Sequence, residues 1–264
     1  MTIKKVKIFP NNNRKSKEIE KEVLEVLNSN HIEVVEEDYD LAIAIGGDGS
    51  FLRMIKENYF NSNIFYVGVN TGTLGFLQDI TVDEFPDFIK SIKKEKIKYD
   101  SIGIQETSIY YGKDEIKRFY SLNEIVIRDK DLNTLKLDVK LDGEYLERFV
   151  GDGILVSTSV GSTAYNMSFH GSIVYNTLHT LQITPIAPLN SASYRDLLNS
   201  VIVPETKMIE LNPKNKNLLI TVDGTNYYFE NVELIKTVVD KKRIRCLRPN
   251  NYNFARKIND KFLK

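Results

Sequence analysis

The chain has 264 residues, 42% of them hydrophobic and 27% charged, and its 36 Lys and Arg balance 36 Asp and Glu to a formal net charge of zero. The length suits two modest domains or one large one, and the balanced charge gives no basic field to draw in nucleic acid or an anionic membrane. One cysteine excludes an intrachain disulfide framework and a cysteine-rich zinc site, and with no secretory h-region and no long apolar run the expected compartment is the cytoplasm.

The first hundred residues alternate strand and helix signals. Val6–Phe9 reads as a short strand, and residues 16–28 set Ile19, Val23, Leu24 and Leu27 on one helical face. Ile32–Val35 and Leu41–Ile45 follow as strands, the second apolar throughout, as a strand covered on both faces is. A helix follows, with Phe51, Leu52, Met54 and Ile55 at helical spacing. After it come a strand at Ile64–Val69 and a helix near 82–94 that carries Phe85, Phe88, Ile89 and Ile92. The expectation is an α/β N-terminal domain on a parallel-type sheet, residues 1–99.

From about residue 100 the signals become short strands and turns. Leu135–Leu141 alternates strictly, and Asp142-Gly143 turns it into Tyr145–Phe149. Asn217–Val222 and Tyr227–Ile235 form a similar pair around Asp223-Gly224. A helix candidate after Gly161 and an irregular segment near 176–200 interrupt the pattern. A mainly antiparallel β C-terminal domain is expected over 100–264, with a polar tail from about 250 that either closes it or returns to the first domain. Cys246, in the alternating stretch Ile244–Leu247, reads as a buried structural thiol.

Five segments bear chemistry. Gly46-Gly47-Asp48-Gly49-Ser50 lies between an apolar strand and a helix, a geometry that aims backbone N–H groups and a helix N-terminus at a phosphate. Asp48 is the only ionisable group in that turn. Nucleotide phosphates repel a carboxylate unless it takes a proton or holds Mg²⁺; the alternative is an ordinary N-cap. Asn70–Leu77 is a glycine-punctuated loop after a strand, suited to shaping a cleft or to a plain connection. Asn123 and Glu124 are adjacent polar residues within an apolar run, so they face opposite sides of a strand. Gly151-Asp152-Gly153 is a second glycine-flanked carboxylate. Gly161-Ser162-Thr163-Ala164-Tyr165-Asn166-Met167-Ser168 offers small hydroxyls and one aromatic ring, suited to adenine and ribose or to a capped helix start.

In this order and spacing, the glycine turn, Asn123-Glu124, Gly151-Asp152-Gly153 and Gly161–Tyr165 resemble the NAD kinase family, over roughly residues 41–226. The glycine turn alone is shared with lipid kinases and 6-phosphofructokinases of the same superfamily. The resemblance implies phosphorylation of the adenosine-ribose 2′-hydroxyl of NAD by ATP or polyphosphate, giving NADP. It also implies an α/β domain and a β domain with a cleft between them, a divalent metal (Mg²⁺ delivered with ATP) and assembly as a homodimer or homotetramer. Carried over by position, Gly46, Gly47 and Gly49 cradle phosphates and Asp48 stands near the reacting hydroxyl. Asn123 holds the base and Glu124 the ribose hydroxyls; Thr163, Ala164 and Tyr165 line the adenosine pocket with Ser168 nearby. Asp152 and Ala187 lie toward the nicotinamide or base end, Phe76 is an apolar wall, and Asp223 is a binding position.

The chain departs from the family pattern at Ser159-Val160, His170-Gly171 and Leu189-Asn190. His170 has no acidic partner at useful spacing and reads as a surface or packing residue. Two other readings stay open: a lipid kinase of the same superfamily, and a non-catalytic NAD(P) sensor that keeps the pocket without the chemistry.

Overall fold

The computed structural model describes residues 3–72, 75–190 and 195–264. The chain divides into two units, one made of residues up to Ser101 together with Ile244–Lys264, the other of Ile102–Arg243. The return to the first unit therefore begins at Ile244, earlier than the polar tail suggests.

The first unit carries β1 (Lys5–Pro10), α1 (Arg14–Ser29), β2 (Glu33–Val34), β3 (Leu41–Gly46), α2 (Asp48–Glu57), β4 (Phe65–Asn70), β5 (Ile80–Thr81) and α3 (Phe85–Lys93). Its strands are parallel. Strand β1 lies between β2 and β3, and β3 pairs with β4 from Leu41↔Phe65 to Gly46↔Asn70. Every residue of β3 is buried. Leu41, Ile43 and Ile45 share a core with Ile19, Val23 and Leu27 of α1 and with Phe85, Phe88 and Ile89 of α3. By the two-residue period of a strand, Ala42 and Ala44 point to the opposite face. The other side of β4 takes Arg245 and Cys246 beside Phe65 and Tyr66, and then β5 beside Val69 and Asn70. Cys246 is a free, buried cysteine, its thiol pKa pushed up to about 12 by burial. The unit ends in α4 (Phe254–Phe262), capped by the Asn253 side chain, which accepts from the Arg256 N–H.

The second unit continues β6 (Lys98–Tyr111) into β7 (Glu115–Ser121), β8 (Glu124–Asp129), β9 (Leu135–Leu141), β10 (Glu144–Gly151) and β11 (Gly153–Thr158). After two 3₁₀ turns come β12 (Thr180–Ile186), β13 (Val201–Pro204), β14 (Ile209–Pro213), β15 (Leu218–Val222), β16 (Thr225–Phe229) and β17 (Val232–Arg248). One antiparallel sheet runs β13-β12-β11-β8-β15-β16. Within the same unit β10, β9, β14 and β17 pair in that order, antiparallel, with β6 on β17 and β7 on β6. Inward side chains from both sets, among them Ile125, Ile127, Val156, Leu137, Leu211 and Ile235, form one shared core, so this unit is a β-sandwich.

Three elements differ from the sequence expectation. After Gly161 there is no α-helix but two 3₁₀ turns, Gly161–Thr163 and Tyr165–Phe169. Ser162 Oγ donates to the Ser159 carbonyl (2.6 Å) and Asn166 Nδ2 to the Ser162 carbonyl (3.2 Å), side-chain bonds that compete with helical ones. The segment 176–200 contains β12 despite Pro185. Strand β13 pairs only with Thr180–Ile183, so the missing N–H falls where that side of β12 is open. Residues 227–235 are two strands rather than one, divided where Asn231 adopts the left-handed region at φ 54°.

Candidate active site

The glycine turn of the first unit is a strand-to-helix elbow. Gly47 is the N-cap of α2 and makes no side-chain cap bond, and Asp48 is the first helical residue, so Asp48 is not the N-cap. Gly46 has φ +151°, and a Cβ there would lie 2.2 Å from Ser50 Oγ, so this turn requires glycine. A Cβ built on Gly47 or Gly49 meets nothing within 4 Å, which leaves an open approach to their backbone.

The Asp48 side chain reaches across to the loop after β4. Its Oδ2 accepts the Phe76 N–H and its Oδ1 the Leu77 N–H, both at 2.9 Å. A Cβ on Gly75 would stand 2.2 Å from Asp48 Oδ1, so the carboxylate occupies space that only a glycine there leaves. Gln78 Nε2 donates to the Gly47 carbonyl and ties the same loop to the turn. Lys261 of α4 lies 3.3 Å from Asp48 Oδ2. With 35% of its side chain exposed, Asp48 remains reachable. The Phe76 ring is buried and stacked on Phe262 at 5.2 Å. Of the Asn70–Leu77 motif, Thr73 and Leu74 lie outside the described residues.

In the second unit the structure brings Asn123, Glu124, Gly161 and Asp223 together. Asp223 Oδ1 accepts the N–H groups of Asn123 (2.8 Å) and Glu124 (3.2 Å), and Oδ2 that of Leu122 (2.9 Å). The Asp223 N–H donates back to the Glu124 carbonyl at 3.0 Å, from a residue at φ 44° and 7% exposure. A Cβ on Gly161 would fall 1.9 Å from the Asn123 carbonyl oxygen, so only a glycine lets the Gly161–Tyr165 run pack this close. Thr158 completes the joint, its Oγ1 donating to the Leu122 carbonyl (2.5 Å) and accepting the Gly161 N–H (3.1 Å). Glu124 is buried and Asn123 half-buried.

The other predicted residues fall in two groups, Asp152 and Ala187 flanking one end of the β11–β12 pair and Thr163–Ser168 in the 3₁₀ turns that follow the other end of β11. Asp152 donates its N–H to the Ile186 carbonyl (3.0 Å), and a Cβ on Gly151 would press on the Ala187 carbonyl, so Asp152 and Ala187 are neighbours, both exposed. Tyr165 is 40% exposed, packed edge-on against Phe169. Thr163 spends its hydroxyl proton on the Val160 carbonyl (3.2 Å), Ala164 is half-buried, and Ser168 and His170 are exposed. Sequence reasoning missed two residues here. Arg128 Nη2 donates to the Tyr165 hydroxyl (3.0 Å), and Gly75 makes room for Asp48. The glycine punctuation of 70–77 was the signal available for Gly75; nothing local marks Arg128.

Comparison with known proteins finds relatives along nearly the whole chain. Family models described as the ATP-NAD kinase N-terminal and C-terminal domains match residues 4–97 and 122–240. The NAD kinase of Finegoldia magna is 37% identical, covering 98% of this chain and 97% of that protein. The NAD kinase of Streptococcus gordonii is 34% identical, over 99% and 96%. Yeast NADH kinase in complex with NADH superposes with a TM-score of 0.86 at 21% identity, covering 98% of this chain and 87% of that one. An NAD kinase from Archaeoglobus fulgidus in complex with ATP gives 0.73 at 20% identity, over 97% and 99%. Matched by both domain models and by full-length relatives, this chain belongs to the NAD kinase family.

Proposed function

We propose that this protein is an NAD kinase, transferring the γ-phosphoryl group of ATP, or of polyphosphate, to the 2′-hydroxyl of the adenosine ribose of NAD to give NADP. The observation that carries the reading is Asp48: a partly exposed carboxylate at the start of α2, steadied by two backbone N–H groups beside glycines with open approach.

A ribose hydroxyl holds its proton too tightly to attack at neutral pH. Asp48 accepts that proton as the oxygen bonds to the γ-phosphorus and the bond to the departing ADP oxygen breaks, a contribution of ~10²–10⁴ in rate. The backbone N–H groups of Gly46, Gly47 and Gly49 face the transferring group, where positioning and charge stabilisation do most of the work. Among the described residues no group of three His, Cys, Asp or Glu is arranged to hold a metal, and a Mg²⁺ ion would come with the nucleotide, with Asp48 available to it as a carboxylate ligand. Such an ion would supply positive charge to the phosphates of the donor.

In the second unit, Glu124 takes ribose hydroxyls and Asn123 the base, with Thr163, Ala164, Tyr165 and Ser168 around the adenosine and Asp152 and Ala187 toward the other end of NAD. Phe76 contributes an apolar wall, and Asp223 acts on NAD through the loop it holds. The reading extends to a cytoplasmic homodimer or homotetramer. No helix among the described residues is long and apolar enough to cross a membrane.

Purified protein given NAD, ATP and Mg²⁺ should form NADP, read by an NADP-specific dehydrogenase. NAD binding without turnover would assign the protein as a sensor instead. Turnover of diacylglycerol with none of NAD would assign it as a lipid kinase.

A further inference from the structure

The C-terminal helix α4 has no part in the chemistry outlined so far, yet its side chains converge on the loop that holds Asp48. Lys257 is buried, and its Nζ donates to the Phe76 carbonyl (2.7 Å) and to Asp79. Arg248, equally buried, bonds Asp79 through Nη1 and Asp100 through Nε (2.7 Å). Burial draws the Lys257 pKa below its ordinary value, whereas Asp79 and Asp100 outweigh burial at Arg248 and keep its pKa above. One turn further along α4, Lys261 meets Asp48 Oδ2 at 3.3 Å and lies 5.3 Å from the Phe76 ring centre, while Phe262 stacks on that ring.

Residue 76 is thus gripped on both sides of its backbone: its carbonyl accepts from Lys257 and its N–H donates to Asp48. We infer that α4 is a positioning element for catalysis, with Lys257 setting the orientation of the Phe76–Leu77 amides and so of the Asp48 carboxylate, and Lys261 bearing on that carboxylate directly. The inference rests on the reading of Asp48 as the proton acceptor. A carboxylate whose amide partners swing loses its line to the hydroxyl, while NAD binding, made mostly by residues of the second unit with Phe76 giving only an apolar wall, is largely preserved. Misplacing a catalytic group by about an ångström can cost roughly a hundredfold in rate.

The test is a double-mutant cycle on the full chain. Lys257→Met is expected to lower kcat roughly ten- to a hundredfold with KM for NAD nearly unchanged, and Lys257→Arg, which keeps the cation, to recover most of it. In an Asp48→Asn background, the same Lys257→Met change should cost no more than about twofold, because its route of action is already removed. An equal loss in both backgrounds overturns the inference and makes Lys257 a fold residue only. Should Lys257→Met melt below the assay temperature, Lys261→Met, at a side chain 30% exposed, is taken through the same cycle. A kcat loss confined to the Asp48 background supports the inference; equal losses, or none, overturn it. Wild-type kcat in Asp48→Asn alone would instead sink the assignment of Asp48, whatever Lys257 does.

Discussion

Asp48 in the first unit and Asp223 in the second are both carboxylates clasped by backbone N–H groups, and they differ in exposure. Asp223 takes three N–H bonds at 7% exposure. Buried with those bonds, it organises the turn, and in the function proposed above it serves a ligand by shaping the Leu122–Glu124 segment. Asp48 takes two N–H bonds, one on each oxygen, and a lysine on Oδ2, with its side chain 35% exposed. Each thus uses at least three of a carboxylate's roughly four acceptor directions, and what separates them is exposure, Asp223 being buried and the Asp48 side chain about a third open. The same clasp makes one aspartate a bracket and leaves the other oriented and partly exposed, as the proposed proton acceptor must be.

The comparison breaks most visibly at Asp48. Asp48→Asn keeps the size of the side chain and one acceptor, but cannot take a proton near neutral pH. kcat should fall by about 10²-fold or more, with the NAD dissociation constant by calorimetry and the melting temperature little changed. Asp223→Asn should do the opposite. Its new NH₂ faces an N–H that had an acceptor, a mismatch of about 1–3 kcal/mol. A lower melting temperature and a roughly tenfold weaker NAD affinity should follow, with kcat at saturating NAD largely retained.

A third clasped carboxylate supplies the smallest effect. Asp129 accepts from the N–H groups of Asp131 (3.0 Å) and Asn133 (3.1 Å) and from the side chain of Asn215 (2.8 Å). Burial pushes its pKa up, but the bonds from Asn215, Asn133 and Asp131 outweigh that and hold it below the ordinary carboxylate value. A folded-state pKa below the unfolded one adds stability above the unfolded value, about 3.9, and loses it as pH falls through the folded value. Asp129→Asn should therefore be less stable than wild type by about 1–2 kcal/mol at pH 7. In denaturant titrations the gap should close as pH drops below about 4, with activity at permissive temperature unchanged.

How far the sequence discloses these roles depends on how local the cause is. The buried strand Leu41–Gly46, the helix after it and the alternating Leu135–Leu141 are consequences of neighbouring residues, and periodicity finds them. The glycine turn and the Gly161–Tyr165 run are also local, so the outline of the candidate site is legible. The targets of the carboxylates are not. Asp223-Gly224 reads as a hairpin turn, which it is, but its side chain acts on residues a hundred positions earlier. Lys257 sits in a polar tail without pattern, and its burial is set by Asp79 and the Phe76 carbonyl, which no window around 257 contains. The helix expected after Gly161 failed for a nearer reason: Ser162 and Asn166 offer the backbone side-chain partners that periodicity ignores.

The pairing of Arg245 and Cys246 with Phe65 and Tyr66 bears on how the protein is made. During synthesis the first unit emerges early with the Phe65–Tyr66 part of β4 lacking its parallel partner, and that partner leaves the ribosome only after the whole of Ile102–Arg243. The second unit, contiguous in the chain, can complete its sandwich while the first waits with an unpaired edge, a state open to aggregation. The unit carrying the glycine turn, although first in the sequence, then waits for residues after 243, and nascent chains halted before residue 244 would hold a finished β-sandwich and a first unit whose β4 still lacks Arg245 and Cys246.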